Sequence, residues 1–477
     1  MSPADRAVAG LRDLLGRGGW LEGDDIGAYV VDFREDFHGD ALGVARPAST
    51  EEVSRVVEIC AAKDVAILPQ GGNSGLSGGS IPSVDRPTVI LSLTRMRTIE
   101  SVDAEGFTIT AQAGVTVQEL QEAAADVDRL FAPDWGARGT ATLGGAIATN
   151  GGGINVLRYG NTREQVMGVE VVLADGRVWN GLRALPKDNS GYDLKHLFIA
   201  SEGTLGIVTR AVVRLRPRPA EHRTAFVALA DIDRLNDWYS LASSHHPGAL
   251  SAFELIPEIG VGRVIEKYAV QRPLDEVSEW YVLLRYSGSE GTADQLLDLL
   301  SEAVDRGLIG DAVVAESAGQ EANLWHLRDE LPPPRIFGGY LLKYDLAVPP
   351  SRISDFHAEA RALIESIVPG AMPYVFGHVG DGNLHLTVWP DQSEEGLLEA
   401  RSSELMAAID ALTWRYGGTI SAEHGLGQEL RDRITGQKPE IELELMRRVK
   451  DVFDPAGLLN PGKVLPERAG PDPRQRT

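Results

Sequence analysis

The sequence predicts an α+β fold of more than one domain, and three observations carry that expectation. At 477 residues the chain is too long for one ordinary core, since domains run to about 150 residues. Strand-like and helix-like stretches alternate irregularly, without the steady rhythm of a parallel βα fold. Asp-Gly turns lie between apolar runs in "VMGVEVVLADGRVW" and "YVFGHVGDGNLHLTVW", a pattern that marks antiparallel hairpins.

Ser49-Thr50-Glu51-Glu52 forms a capping box ahead of a helix in which Val53, Val56, Val57, Cys60 and Ala61 recur at helical spacing. Cys60 is therefore expected to be a buried structural thiol. "VAILPQ" reads as a short buried strand that runs into the glycine-rich stretch 71–80, and "FTITAQAG" as a strand followed by a second capping box from Thr116 to Glu119. The first hairpin turns at Ala174-Asp175-Gly176. "RLRPRPAEHR", residues 214–223, has the proline and charge content of a domain junction. Beyond it "WYVLLRYSG" and "YLLKYDLAV" are strands with helices between them, as far as about residue 424. The polar end, 467–477, is expected to be disordered.

Lys and Arg number 46 against 69 Asp and Glu, a net charge of −23. Such a polyanion is repelled by nucleic acid and by anionic membrane surfaces, so neither is expected as a partner. A single cysteine rules out an intrachain disulfide, a thiolate zinc site and an iron–sulfur cluster, and it fits a reducing compartment. The first twenty residues lack the pattern of a secretory signal, and no apolar run reaches membrane-spanning length. These features lead to the expectation of a soluble, cytoplasmic protein.

Residues 71–79 hold five glycines in nine positions and 144–153 hold five in ten, and "ASEGTLGIVT" follows at 200–209. Backbone so bare can approach a ligand and aim consecutive N–H groups at an anion such as a pyrophosphate. No Lys-Ser or Lys-Thr follows and no G-x-G-x-x-G spacing occurs, so neither a P-loop nor a dinucleotide fingerprint explains them. Tight turns without a ligand are the competing reading for either loop alone.

The second Asp-Gly turn raises a different chemistry. With Asp381 and Gly382 as a two-residue loop, His378 faces His385 and the two imidazoles share one face with Cβ atoms about 5 Å apart. Three of the ten histidines, His378, His385 and His424, fall within 47 residues, and Glu423 precedes the last. Two imidazoles and the Glu423 carboxylate suit a catalytic metal ion with one position open to substrate. Zinc is the first choice of ion, and Fe(II) and Mn(II) suit the same donors.

In order along the chain, "PQGGNSGLSGG", "TLGGAIATNGGG", "LRYGNTREQVMGVEVVLADG", "KDNSGYDLKHLFIASEGTLGIVT", "GHVGDGNLHL", "SAEHGLG" and "DPAGLLNPGKVLP" resemble FAD-linked oxidases and dehydrogenases of the vanillyl-alcohol-oxidase type. The D-2-hydroxyglutarate dehydrogenase branch is the most similar, with D-lactate and glycolate dehydrogenases as neighbours. The resemblance implies an FAD-binding domain of two α+β subdomains over 41–217, after an N-terminal helical segment 1–40. It further implies a substrate and metal domain with an antiparallel sheet over 218–424, and a segment 425–466 that returns to the flavin. It places the cofactor against Pro69, Gly71, Gly72, Asn73, Ser74 and Gly75, then Thr142, Gly144, Gly145, Asn150 and Gly153. Glu202, Gly203 and Ile207 are implied contacts as well, and Asn460 is implied to reach the flavin ring. The loop 69–80 has neither His nor Cys, so FAD is expected to be non-covalent.

By the same resemblance the substrate is a small anionic 2-hydroxy acid and a homodimer is implied, while the electron acceptor, an electron-transfer flavoprotein or a quinone, leaves no motif. Oxidising the substrate means removing the hydroxyl proton while the C2 hydride leaves. His424 is the expected base, because an imidazole titrates near neutral pH. Arg328 and Lys343 are expected to bind substrate carboxylate, the Arg by a bidentate grip, and Asn383 to hydrogen-bond the C1 carboxylate. One departure stands out: where the hydroxyglutarate branch carries a Thr one turn after this Arg, the chain has Pro332. D-2-hydroxyglutarate is thus the favoured substrate, with D-lactate, D-malate and glycolate open. A flavin-free metallohydrolase or Fe(II) oxygenase is the alternative of a different class, and a flavin module without activity ranks last because all four metal and base residues are present.

Overall fold

The Ser49 hydroxyl accepts from the Glu52 N–H and opens the helix Thr50–Ala61. The Glu52 carboxylate reaches one residue further back, to the Ala48 N–H at 2.7 Å. Val53, Val56, Val57 and Cys60 on its inner face pack with Ile67, Val89 and Leu91, and burial pushes the Cys60 thiol up to about 12. This is one of the cores of the first of two units in the computed structural model, which describes residues 1–466. The disordered tail expected at 467–477 lies outside the described residues.

The first unit comprises 1–153, 161–218 and the chain from Glu423 onward. One sheet runs Trp20–Leu21, Gly43–Ala45, Thr88–Ser92, Ala66–Gln70, its last three strands parallel. A second, antiparallel throughout, runs Ile99–Asp103, Thr108–Gln112, Ile207–Arg214, Val166–Val172, Val178–Gly181. Its hairpin closes Val172 against Val178 around the expected turn, and Thr116 and Glu119 form a complete capping box on the helix Val117–Ala125. The N-terminal segment is more than helical. Ala7 and Leu11 of the helix Pro3–Gly19 enter the same core as Cys60, and Trp20–Leu21 extends the sheet, because a short amphipathic helix needs a surface on which to bury its apolar face.

The second unit comprises 154–160 and 219–422, so the junction falls inside the Pro- and Arg-rich stretch. Seven antiparallel strands run Ile309–Val314, Glu221–Leu229, Trp280–Gly288, Leu250–Pro257, Met372–His378, Asn383–Trp389, Leu342–Ala347. Both faces are covered. Ala225, Val227, Phe253 and Leu255 serve one core, whereas Phe226, Ile256, Tyr374 and Phe376 serve another, which is why these strands read as nearly continuous apolar runs. Among the described residues no helix is long and apolar enough to cross a membrane.

Candidate active site

Across the hairpin His378 pairs with Asn383, and His385 pairs with Phe376. The expected opposition of the two histidines is corrected. The loop has four residues, 379–382, because the Gly382 N–H donates back to the His378 and Val379 carbonyls at 3.1 and 3.2 Å. Gly382 has φ +84°, and a Cβ there would lie 2.1 Å from the Val348 carbonyl oxygen, so only glycine closes this turn without strain. Lengthening the loop by two residues keeps side-chain parity. The imidazoles therefore still share a face, diagonally, with ring centroids 5.6 Å apart.

Register places the rest of that face. Asp345 lies opposite His385, Lys343 opposite Thr387 and Ala347 opposite Asn383, while Glu254 lies opposite His378. Glu254 and Asp345 are buried carboxylates that the sequence reading missed. Glu254 Oε1 lies 2.7 Å from His378 Nδ1, and Oε2 accepts from Arg328 Nε at 2.8 Å. Burial would raise its carboxyl, but His378 and Arg328 outweigh that and hold it well below the usual carboxylate range. Arg328 comes from the last turn of the helix Ala318–Asp329 and stacks over Phe376, 5.0 Å from the ring centroid. It is a buried cation, not a surface charge. Lys343 is exposed. Asn383 is buried and its amide nitrogen donates to Asp345 Oδ1 and the Leu346 carbonyl at 2.9 and 3.0 Å. Both amide protons are thus engaged by the protein, and Oδ1 has no hydrogen-bond partner.

In the first unit the two glycine loops meet. A Cβ on Gly72 would lie 1.8 Å from the Thr140 carbonyl oxygen and one on Gly71 2.3 Å from Thr142 Oγ1, while nothing stands within 4 Å of one on Gly75. Thr142 caps the helix Leu143–Thr149, accepting from the Gly145 N–H at 3.3 Å. Gly144 packs on Ala113. Asn150 ends the helix in the left-handed region, with Oδ1 accepting from the Arg163 N–H at 2.9 Å. Asn73 ties its loop to the N-terminal segment, donating to the Ala28 and Val31 carbonyls, and accepts from Ser80 Oγ within the loop. Ser74 is half-buried beside it.

Gly203 packs on Pro69, and Ile207 opens the central strand Ile207–Arg214. The Glu202 carboxylate accepts from the Leu426 and Gly427 N–H groups at 2.7 and 2.9 Å. Burial raises that carboxyl, with those donors and Lys463 opposing. Burial also brings Lys463 down to about 7, against the pull of Glu202. The C-terminal segment returns to the glycine loop: Leu459 bridges to Ile67 in parallel, and the Asn460 amide donates to the Gly79 and Glu202 carbonyls at 3.0 and 2.7 Å. Its amide protons are thus committed, and the buried Asn460 Oδ1 has no partner.

Glu423 and His424 begin the part of the chain that re-enters the first unit. Both are half-buried, and Glu423 Oε1 accepts from the Gly153 N–H at 2.9 Å. The residues just before them belong to the second unit, where Ser421 bridges to Asp345 and the Ala422 N–H donates to the Asp345 carbonyl at 3.1 Å.

Residues 218–464 match the family model "FAD linked oxidases, C-terminal domain", and 41–181 match "FAD binding domain". The mitochondrial D-2-hydroxyglutarate dehydrogenase of Rattus norvegicus is 37% identical over 445 residues, 92% of this chain and 81% of the rat protein. The chain belongs to the FAD-linked oxidases of the vanillyl-alcohol-oxidase type. Within that family it is closely related to the D-2-hydroxyglutarate dehydrogenases, and it is an FAD-dependent oxidoreductase. The D-2-hydroxyglutarate dehydrogenase of Xanthomonas citri pv. viticola is 35% identical over 450 residues, 94% of each chain. The structure of p-cresol methylhydroxylase with substrate bound superposes with a TM-score of 0.76 at 19% identity, covering 97% of this chain and 96% of that one, and at that identity it shows the fold alone.

The expectation of a cytoplasmic location does not stand, because the rat relative is named as mitochondrial. A single cysteine does not separate the cytosol from an organelle interior. The residues present fit FAD: glycine-rich loops meet beyond the parallel strand Ala66–Gln70, and a buried amide oxygen at Asn460 is left for a donor that the protein does not supply. For a divalent cation, the donor chemistry of His378, His385 and a neighbouring carboxylate is the fitting feature.

Proposed function

We propose that the chain oxidises a D-2-hydroxy acid to the 2-oxo acid, with D-2-hydroxyglutarate as the favoured substrate and 2-oxoglutarate as product. The observation that carries this reading is one sheet face on which His378, His385, Lys343 and Asn383 stand together, with the buried Arg328 beside them. Metal donors and carboxylate-binding cations on one face are what an anionic 2-hydroxy acid requires. Curated relatives named for D-2-hydroxyglutarate support the choice of substrate.

FAD, held without a covalent tether by the loops around Gly71–Gly75 and Thr142–Gly145, supplies the two-electron acceptor for the C2 hydride. A divalent ion, zinc first, held by His378, His385 and Glu423, supplies positive charge beside the oxygen that loses its proton. Glu423 suits the third position because it directly follows Ala422, which is pinned to the strand paired with His385. His424 takes the hydroxyl proton at its imidazole. Arg328 and Lys343 hold the carboxylates.

An anaerobic titration tests the reading: metal-loaded protein is mixed with D-2-hydroxyglutarate, its L-enantiomer and D-lactate while the oxidised flavin absorbance is followed. Bleaching by D-2-hydroxyglutarate alone is expected. Bleaching by D-lactate in its place would move the substrate to a smaller acid, in keeping with the methylene-rich Pro332 where a hydroxyl is usual in the branch.

A further inference from the structure

We propose that Glu254 is a positioning residue that fixes the metal-facing tautomer of His378 and the aim of Arg328 together, so that metal binding and substrate binding share one support. The inference rests on the proposed metal site. Glu254 interrupts the buried strand Leu250–Pro257, "LSAFELIP", and is 1% exposed. A carboxylate in an apolar layer is costly unless both oxygens are satisfied by charged or hydrogen-bonding partners. Here each oxygen has its own: Oε1 faces His378 Nδ1 at 2.7 Å and Oε2 faces Arg328 Nε at 2.8 Å.

An ionised carboxylate can only accept, so His378 must donate from Nδ1. That leaves the Nε2 lone pair directed away from Glu254, the state a metal ligand needs, and a carboxylate behind a ligating imidazole also raises its basicity. On the other side Glu254 engages only the Nε–H of Arg328. The two terminal amino groups of the guanidinium are outside this ion pair, and its plane is further held over the Phe376 ring. A neutral amide at 254 could accept from one partner only. Its NH2 end would meet either His378 Nδ1, reversing the tautomer, or the Arg328 cation.

The test is Glu254→Gln in the full-length flavoprotein, with Zn2+ titrated into chelator-treated protein against a chromophoric competitor. Metal affinity is expected to fall by roughly 10- to 100-fold, and KM for D-2-hydroxyglutarate in the metal-saturated enzyme is expected to rise, while flavin content stays at the wild-type level. Wild-type metal affinity in Glu254→Gln, alongside loss of metal in His385→Ala, would overturn the inference and leave the metal site standing. Absence of tight Zn2+ binding in the wild type would instead remove the metal site itself. Should Glu254→Gln not fold, 15N-histidine spectra of the wild type decide: a protonated Nδ1 on His378, assigned with a His378 variant, is expected, and a protonated Nε2 with bare Nδ1 overturns the proposal.

Discussion

His385 packs against Phe376, its partner across the hairpin, with ring centroids 5.0 Å apart and the planes tilted by 43°. The same phenyl ring carries Arg328 on it at 5.0 Å, so one buried aromatic holds a proposed metal ligand and a proposed substrate cation. Phe376→Ala should cost about 3–5 kcal/mol of stability, as large-to-small changes in cores do. It should also lower kcat/KM by at least about tenfold by loosening both groups. Phe376→Leu, which keeps most of the volume, should recover the melting temperature more fully than the activity. Thermal melts and steady-state kinetics on the pair check this, and equal recovery of both would assign the ring to packing alone.

Gly72→Ala should abolish flavin binding. Its Cβ would meet the Thr140 carbonyl oxygen at 1.8 Å, backbone against backbone, so the two glycine loops must part. Gly75→Ala meets nothing within 4 Å and should fold normally. The flavin-to-protein absorbance ratio of the two purified variants separates loop packing from ligand approach: flavin lost in Gly75→Ala as well, with an unchanged melt of the apoprotein, would place the cofactor against Gly75.

His385→Ala should lose the divalent ion and turnover while keeping flavin. His424→Ala should keep flavin and metal and lose about 10²- to 10⁴-fold in kcat, the usual worth of a general base. Metal content by atomic absorption, read beside kcat, separates the two roles. Unimpaired turnover in either variant would take that residue out of the mechanism.

Much of this architecture was legible because local rules and tertiary needs agree. The capping residues Ser49 and Thr116, the Asp-Gly turns and the strands around residues 66, 280 and 342 all formed as periodicity required. Hairpin register was read two residues short, because the Asp-Gly signal marks a turn without fixing the loop length that Gly382 and the Val348 carbonyl impose. Glu254 and Asp345 left no signal: a lone acid within an apolar strand looks like a solvated residue until its partners, 124 and 40 positions away, are brought opposite by the sheet. Asn73, Glu202 and Asn460 lie in the expected region, yet their side chains organise the loops, a distinction that depends on hydrogen bonds no spacing encodes.

His357 gives the second unit an acid-sensitive point. It lies on the helix Ile353–Ile367, is 9% exposed, and meets Trp280 edge to face at 5.1 Å. Burial, with Arg361 nearby, brings its imidazole down to about 4 from 6.5. The unfolded chain therefore binds the proton first as pH falls. Stability from keeping this imidazole neutral is complete above about pH 6.5 and is lost progressively toward pH 4, by up to about 3 kcal/mol in total. His357→Leu should leave stability near neutral pH within about 1 kcal/mol and flatten the acid limb. Melting temperatures of wild type and variant, compared from about pH 7 to about pH 4.5, should converge or cross as the wild type falls faster. Parallel curves over that range would show that His357 is protonated in the folded protein at no cost.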